Sequence, residues 1–163
     1  MSVSKPKPHS SKHVGLISDT HGLLREDALA ALEGCDFIIH AGDIGGPEIL
    51  ERLRRIAPLY AVRGNNDRAE WANTLPLTEV VEVEAHSLYV VHDIADLDID
   101  AAAAGISAVI TGHSHKPRAE LRDGVLFINP GSAGPRRFRL PIALARLEIS
   151  PAGIEHELVV LEA

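Results

Sequence analysis

The chain has 163 residues, 45% of them hydrophobic, a formal net charge of −7 and a single cysteine, Cys35. This fits one folded domain with a sizeable core, excludes an intrachain disulfide, and leaves no apolar run long enough to span a membrane. The acidic balance opposes non-specific binding to nucleic acid, and 4% aromatic residues are too few for a base-stacking platform.

Met1–Lys12 is rich in Ser, Lys and Pro and lacks the apolar centre of a signal peptide. It reads as a flexible tail before a single domain over 13–163, and the protein is expected to be cytoplasmic. Val14–Ile17 is an apolar run that predicts a buried strand. It ends in Ser18-Asp19-Thr20-His21-Gly22. Residues two apart in an extended segment point the same way, so Asp19 and His21 are expected to reach one point beyond the strand end. Glu26–Gly34 predicts a helix with Ala28, Leu29 and Leu32 apolar and Gly34 as its stop. Cys35 is expected to pack beneath it as a small apolar residue. Phe37–His40 predicts a short strand running into Ala41-Gly42-Asp43-Ile44-Gly45-Gly46. Pro47–Ile56 predicts a second helix, with proline in its first turn and Ile49, Leu50, Leu53 and Ile56 on one face. Leu59–Val62 predicts a third strand, ending in Arg63-Gly64-Asn65-Asn66-Asp67. This is the alternation of an α/β domain, in which ligands gather at the carboxyl ends of the strands.

Beyond Pro76 the rhythm changes. Thr78–Ala85 alternates as a strand, His86-Ser87 reads as a turn, and Leu88–Val91 is a buried strand entering His92-Asp93. Asp98–Gly105 predicts a short Ala-rich helix begun by one of the aspartates between Asp93 and Asp98. Ala108–Ile110 is a buried strand ending in Thr111-Gly112-His113-Ser114-His115. Leu121–Ile128 predicts a hairpin turning at Asp123-Gly124, and its second strand enters Asn129-Pro130-Gly131-Ser132. Ile142–Ile149 and Ile154–Leu161, joined through Pro151-Ala152-Gly153, close the chain as a hairpin.

Five strand ends therefore carry metal-capable side chains: Asp19 with His21, Asp43, Asn65, His92, and His113 with His115. Singly each is ordinary, since Gly-Asp is common turn chemistry and a lone histidine is more often packed or exposed than a ligand. Together they are enough for two ions if one carboxylate bridges, which two oxygens allow and an imidazole does not. The mixture suits Mn, Fe, Zn, Ni or Co better than Mg or Ca, and the near absence of sulfur argues against a structural zinc site. Two ions about 3.5–4 Å apart are a recurrent solution for phosphoryl hydrolysis: they lower the pKa of a shared water and neutralise charge building on the phosphate.

Asp19-Thr20-His21, Gly42-Asp43, Gly64-Asn65-Asn66-Asp67, His92 and Gly112-His113-Ser114-His115 stand in the order and spacing of the calcineurin-like metallophosphoesterases. The chain resembles that superfamily over nearly its whole length after the tail. Asn129-Pro130-Gly131-Ser132 and the short length resemble its small YfcE-type phosphodiesterase branch. The resemblance implies an α/β fold, a four-layer α/β/β/α sandwich of two mixed β-sheets flanked by helices. It implies that Asp19, His21, Asp43 and His115 hold one ion, and Asp43, Asn65, His92 and His113 the other, with Asp43 bridging. The activity implied is dinuclear metal-dependent hydrolysis of a small phosphate ester, diesters before monoesters, by a metal-bridging hydroxide. The cofactors implied are two divalent transition-metal ions, manganese first, with Zn, Fe, Ni or Co as alternatives. The competing reading is a binding scaffold of the same fold with weak or lost activity, as in a relative that serves the retromer sorting coat. No membrane and no strong nucleic-acid partner are expected, and the C-terminal strands offer a surface for a homo-oligomer.

Two positions depart from the family pattern. Asn66 stands where many members carry a histidine that helps the leaving group. An amide cannot act as a general acid near neutral pH, so a preference for esters with good leaving groups is expected. Asp93 stands where glycine is frequent, and a cap or solvated turn is favoured over a carboxylate acting at the metals. His40 has two readings, support for the ligands or plain packing. His9, His13, His86 and His156 fit tail, strand-edge or surface roles. Arg136 and Arg137 fit a phosphate contact, a solvated loop or a subunit contact. Asp93, Asp96, Asp98 and Asp100 read as an exposed helix start.

Overall fold

A computed structural model describes residues 11–162. Its first half runs β1 (Lys12–Ile17), α1 (Glu26–Leu32), β2 (Phe37–His40), α2 (Pro47–Arg54) and β3 (Leu59–Ala61). Then come β4 (Thr78–Val83), β5 (His86–Val91), β6 (Ala108–Ile110), β7 (Arg118–Arg122) and β8 (Val125–Asn129), and the chain closes with β9 (Ile142–Ser150) and β10 (Gly153–Glu162). The strands form two five-stranded mixed sheets, ordered β10-β9-β1-β2-β3 and β4-β5-β6-β8-β7. Strands β1, β2 and β3 are mutually parallel, as the two intervening helices require, whereas the closing hairpin joins the first sheet antiparallel to β1. In the second sheet β5, β6 and β8 are parallel, with β4 and β7 antiparallel at the edges.

The period-2 alternation of each strand assigns its two faces. Val14, Leu16 and Ile39 of the first sheet pack against Leu88, Val90, Ile110 and Ile128 of the second, forming a dry layer between them. The opposite faces of the first sheet's strands, through Ile17, Ile38 and Leu144, meet Ala28 and Leu32 of α1 and Ile49, Leu50 and Leu53 of α2. Cys35 is buried where α1 returns to β2, as its sequence context predicts.

Three expectations change. The stretch from Asp98 to Gly105 is not a helix but a run of turns: Asp100 Oδ1 takes the Ala103 N–H at 3.2 Å, and Gly105 leaves at φ 77°. So few residues cannot offset the cost of a helical nucleus. Ala101 and Ile106 nonetheless cover Tyr89, Val91 and Val109 on the outer face of the second sheet. The fourth layer of the sandwich is thus irregular cover, and among the described residues both α-helices flank the first sheet. The second change is the β4–β5 turn, which falls on Glu84-Ala85 at φ 45° and 73° rather than on His86-Ser87. A two-residue turn with positive φ matches the twist of the flanking strands. His86 is held in β5, its ring against Ser107 Oγ at 2.9 Å and the Ser150 carbonyl at 2.8 Å. Third, β1 begins at Lys12, inside the expected tail, where Lys12 pairs with Ile149. The rest of that expectation, Met1–Ser10 with His9, lies outside the described residues. The turn at Asp123-Gly124 falls where expected, at φ 50° and 79°. No helix among the described residues is long and apolar enough to cross a membrane.

Candidate metal centre

The loops leaving β1, β2, β3, β5 and β6 meet at one rim, where the carboxyl ends of strands from both sheets adjoin. Backbone bonds tie them together: Asp19 N–H to the Gly42 carbonyl at 3.0 Å, His21 N–H to the Asp43 carbonyl at 3.0 Å, and Gly112 N–H to the His92 carbonyl at 2.9 Å. Asp19, His21 and His115 place ligand atoms within 4.8 Å of one another, and so do Asp43, His92 and His113. Asp43 Oδ2 links the groups, 3.2 Å from His92 Nε2 and 3.8 Å from His21 Nε2. Asn65 Oδ1 sits 3.2 Å from His113 Nδ1. All seven residues singled out by sequence come to this rim.

They converge by a different route from the one expected. Asp19 and His21 are not extended: their φ angles are 55° and 46°, and Asp43, His113 and His115 are also left-handed, at 57°, 70° and 63°. Asp and His tolerate this region better than most residues, but five such positions at one rim are a concentration of backbone strain that the surroundings must hold. Close chain approach contributes. A Cβ at Gly64 would fall on the Asp43 backbone N and Oδ1, and one at Gly112 on Ser18 Oγ. Only glycine leaves room there for the neighbouring loop.

The hydrogen bonding fits divalent cations. Asp19 Oδ2 accepts from Ser18 Oγ at 2.7 Å and from the His113 N–H at 3.0 Å, whereas Asp19 Oδ1 is buried without a hydrogen-bond partner. His92 Nδ1–H donates to the Ala41 carbonyl at 2.7 Å, which fixes the tautomer and leaves Nε2 buried and unpartnered. His21 Nε2 and His115 Nδ1 are in the same state. A buried polar atom left unpaired costs about 1–3 kcal/mol. Four of them, on imidazoles and a carboxylate divided between the two groups, are the kind of donor that a transition-metal ion satisfies. The charges are already coupled. Burial works against the ionised form of Asp43, but His92 and the Asn66 N–H outweigh it and hold the carboxyl far below the usual carboxylate range. Burial likewise disfavours charged His92, yet Asp43 and Asp19 raise its pKa above the ordinary histidine value.

The residues in doubt fall as follows. Asn66 turns toward Asp43: its N–H donates to Oδ1 at 2.9 Å and its Nδ2 to Oδ2 at 3.1 Å. Asp93 caps the short 3-10 turn at Ile94–Asp96 by accepting from the Ala95 N–H at 3.0 Å, and its other oxygen lies 3.5 Å from His113 Nε2. It is therefore the predicted cap and a neighbour of His113 at once. Arg136 is tied to the Leu140 carbonyl at 3.1 Å and to Glu162 at 3.7 Å, and Arg137 is exposed. His13 and His156 are exposed.

Asp67 is the main functional residue that the sequence reading left without a role. It is 3% exposed and accepts the N–H groups of Ile44, Gly45 and Gly64 at 3.0–3.2 Å, clamping the loop after β2 to the loop after β3. An aspartate two residues past Asn65 in a glycine-bearing loop was the available signal. Asn129 makes a similar tie, donating to the Gly112 carbonyl at 2.8 Å.

His40 is fully buried, accepting the Gly42 N–H on Nδ1 at 3.0 Å while Nε2–H faces Thr20 Oγ1 at 3.0 Å. It both packs and supports the loops. Burial pushes its pKa down to about 4. The unfolded chain takes up this proton as pH falls below about 6.5, whereas the folded one resists it until about pH 4. The stability that His40 contributes is therefore complete above pH 6.5 and is lost as pH drops to 4. Urea melts are expected to show this single group removing about 3 kcal/mol between pH 7 and pH 4. In His40→Asn, which keeps an acceptor for Gly42 N–H, the pH 7-to-4 difference should shrink by that amount.

A family model described as the calcineurin-like phosphoesterase superfamily domain matches residues 13–151. A probable metallophosphoesterase of Methanothermobacter thermautotrophicus is 29% identical over 158 residues, covering 90% of this chain and 91% of its own. Among solved structures, an archaeal phosphodiesterase superposes with a TM-score of 0.77 at 24% identity, covering 91% of this chain and 99% of its own. Zinc-complexed Vps29 of Entamoeba histolytica superposes with a TM-score of 0.72 at 24% identity, covering 91% and 98%.

Proposed function

Because this chain belongs to the calcineurin-like phosphoesterase superfamily, we propose that it is a phosphodiesterase that works with two divalent ions. The observation that carries this reading is the position of Asp43, whose Oδ2 lies within 4 Å of a histidine from each ligand group. Asp19, His21, Asp43 and His115 would hold one ion, and Asp43, Asn65, His92 and His113 the other. When bound, such ions polarise a phosphoryl oxygen and supply a nucleophile from water at neutral pH. The chain does the rest. Asn66 fixes both oxygens of Asp43, Ser18 and the His113 N–H fix one oxygen of Asp19, and the Ala41 carbonyl orients His92. Preorganisation of this kind avoids reorganisation at the moment of reaction.

A preference for diesters follows from the carboxylates on one flank. Asp93, Asp96 and Asp98 line the recess beside His92, and they disfavour a dianionic monoester more than a monoanionic diester. The leaving group is the second constraint. Asn66 is committed to Asp43 and carries no transferable proton, so departure depends on the leaving group's own acidity. Nitrophenyl diesters are expected to turn over at least about 100-fold faster than dialkyl diesters, and Asn66→His should narrow the gap. Equal rates on both would discard this account of Asn66.

The test is a screen of metal-stripped protein reconstituted with Mn, Zn, Fe, Ni or Co against bis-nitrophenyl phosphate and nitrophenyl phosphate. Turnover with at least one ion, faster on the diester, is the expected result. A rise in melting temperature with metal but no turnover would favour the scaffold reading, which the structural likeness to Vps29 keeps in view.

A further inference from the structure

Beside the metal ligands the chain presents a side chain that the fold does not need. Phe138 is 86% exposed, and it sits in a left-handed conformation at φ 55°. Its turn is closed by the Leu140 N–H on the Arg137 carbonyl at 3.1 Å, and the base of the loop is anchored by Arg25, whose guanidinium reaches the Gly134 carbonyl at 3.3 Å. Turn corners with positive φ favour Gly, Asn or Asp, and a bulky aromatic there is a genuine outlier. This one also buries almost nothing.

The recess around it, about 750 Å³, is lined by His113, Ser114, Lys116, Arg137, Phe138, Arg139 and Leu140. It therefore runs from a metal ligand to an aromatic ring and carries three cations in a protein of net charge −7. The recess beside His92 carries Asp93, Asp96 and Asp98 against one cation, Arg63. The rim is electrically directional, and the anionic, non-departing part of a substrate belongs on the Phe138 side.

We propose that Phe138, Arg137, Arg139 and Lys116 form a recognition platform for a phosphodiester that bears a nucleotide, with the base stacked on Phe138 and the three cations drawing in the anion whose phosphate reacts at the ions. This rests on the hydrolase reading above and adds the substrate class. Simple alkyl or glycerol diesters leave the ring unused, whereas a base has a flat π-face for it. One aromatic residue suits a single base, in keeping with the lack of a stacking surface for a longer strand.

The experiment compares two substrates with the same leaving group on the metal-loaded protein: the nitrophenyl ester of thymidine monophosphate and methyl nitrophenyl phosphate. Wild type is expected to show a KM roughly tenfold lower for the thymidine ester. Phe138→Ala should erase that advantage with kcat unchanged and no effect on the methyl ester, and Phe138→Tyr should restore it. Arg137→Ala with Arg139→Ala should also raise KM for the thymidine ester and make its binding less salt-sensitive. Equal KM values for the two esters in wild type would overturn the platform while leaving the hydrolase intact. Equal values together with a smaller molecular mass for Phe138→Ala in solution would also overturn it, assigning the loop to a subunit contact. If neither ester turns over, the hydrolase reading fails instead. Calorimetry then decides the platform separately, since wild type must bind thymidine monophosphate more tightly than methyl phosphate, and Phe138→Ala must not.

Discussion

Asp43→Asn is expected to lower turnover of bis-nitrophenyl phosphate by roughly a thousandfold, the largest loss from any single change in this protein. Metal ions contribute several kcal/mol to phosphoryl transfer through charge stabilisation, and each 1.36 kcal/mol is a factor of about ten in rate. Asp43 Oδ2 reaches both ligand groups, at 3.2 Å from His92 and 3.8 Å from His21, and sits nearer His92 than Asp19 Oδ1 does at 3.9 Å. An amide of the same shape keeps the volume but brings one oxygen instead of two and no charge, so it cannot serve both ions. It also places an amide N–H₂ against Asn66, whose N–H and Nδ2 both donate to this carboxylate. Steady-state rates at saturating metal, with bound ions counted by elemental analysis, check the prediction. A variant retaining more than about a tenth of the rate with two ions bound would contradict it.

The second large effect is on stability. Asp19 Oδ1, His21 Nε2, His92 Nε2 and His115 Nδ1 are buried without hydrogen-bond partners, and two bound cations would relieve those atoms that become ligands in the folded state while finding no such site in the unfolded chain. A ligand at a hundred times its Kd stabilises by about 2.7 kcal/mol, and each kcal/mol moves Tm by about 2–4 °C for a domain of this size. Saturating Mn is therefore expected to raise Tm by about 5–10 °C over chelator-treated protein. The increment should be much smaller in His92→Ala, which loses a ligand, and unchanged in His156→Ala, whose side chain is exposed away from the rim. A Tm that does not respond to metal or chelator would count against the site itself.

The parts of this molecule that the sequence made legible are those in which a local pattern meets a local constraint. Phe37–His40 and Ala108–Ile110 are short apolar runs with polar brakes, and they are strands with the predicted bounds. The seven candidate ligands were legible because each sits just past such a strand. How they converge was not readable. Left-handed backbone at Asp19, His21 and Asp43 is held by bonds from distant loops, such as the Asp19 N–H on the Gly42 carbonyl, and no single segment records that. The same limit explains Asp67, whose three backbone partners belong to two different loops. The Ala-rich stretch before Gly105 misled for the opposite reason: composition favoured a helix, but the length was insufficient and the outer face of the second sheet is covered by scattered side chains, Ala101 and Ile106 with Leu97 and Ile99. His86 was assigned to a turn because nothing nearby in sequence announces Ser107 or Ser150.

The dry layer between the sheets has a mechanical consequence for the chemistry. Asp19, Asp43 and Asn65 follow strands of one sheet, and His92, His113 and His115 follow strands of the other, so the gap between these candidate ligands is fixed by the girth of side chains such as Leu16, Leu88 and Ile110. A methylene added or removed there shifts one half of the cage relative to the other. If the rim holds ions as proposed, their spacing is calibrated by residues that never see water or substrate, and a drift in the oil between the plates is expected to show up first as a change in which ion the rim prefers.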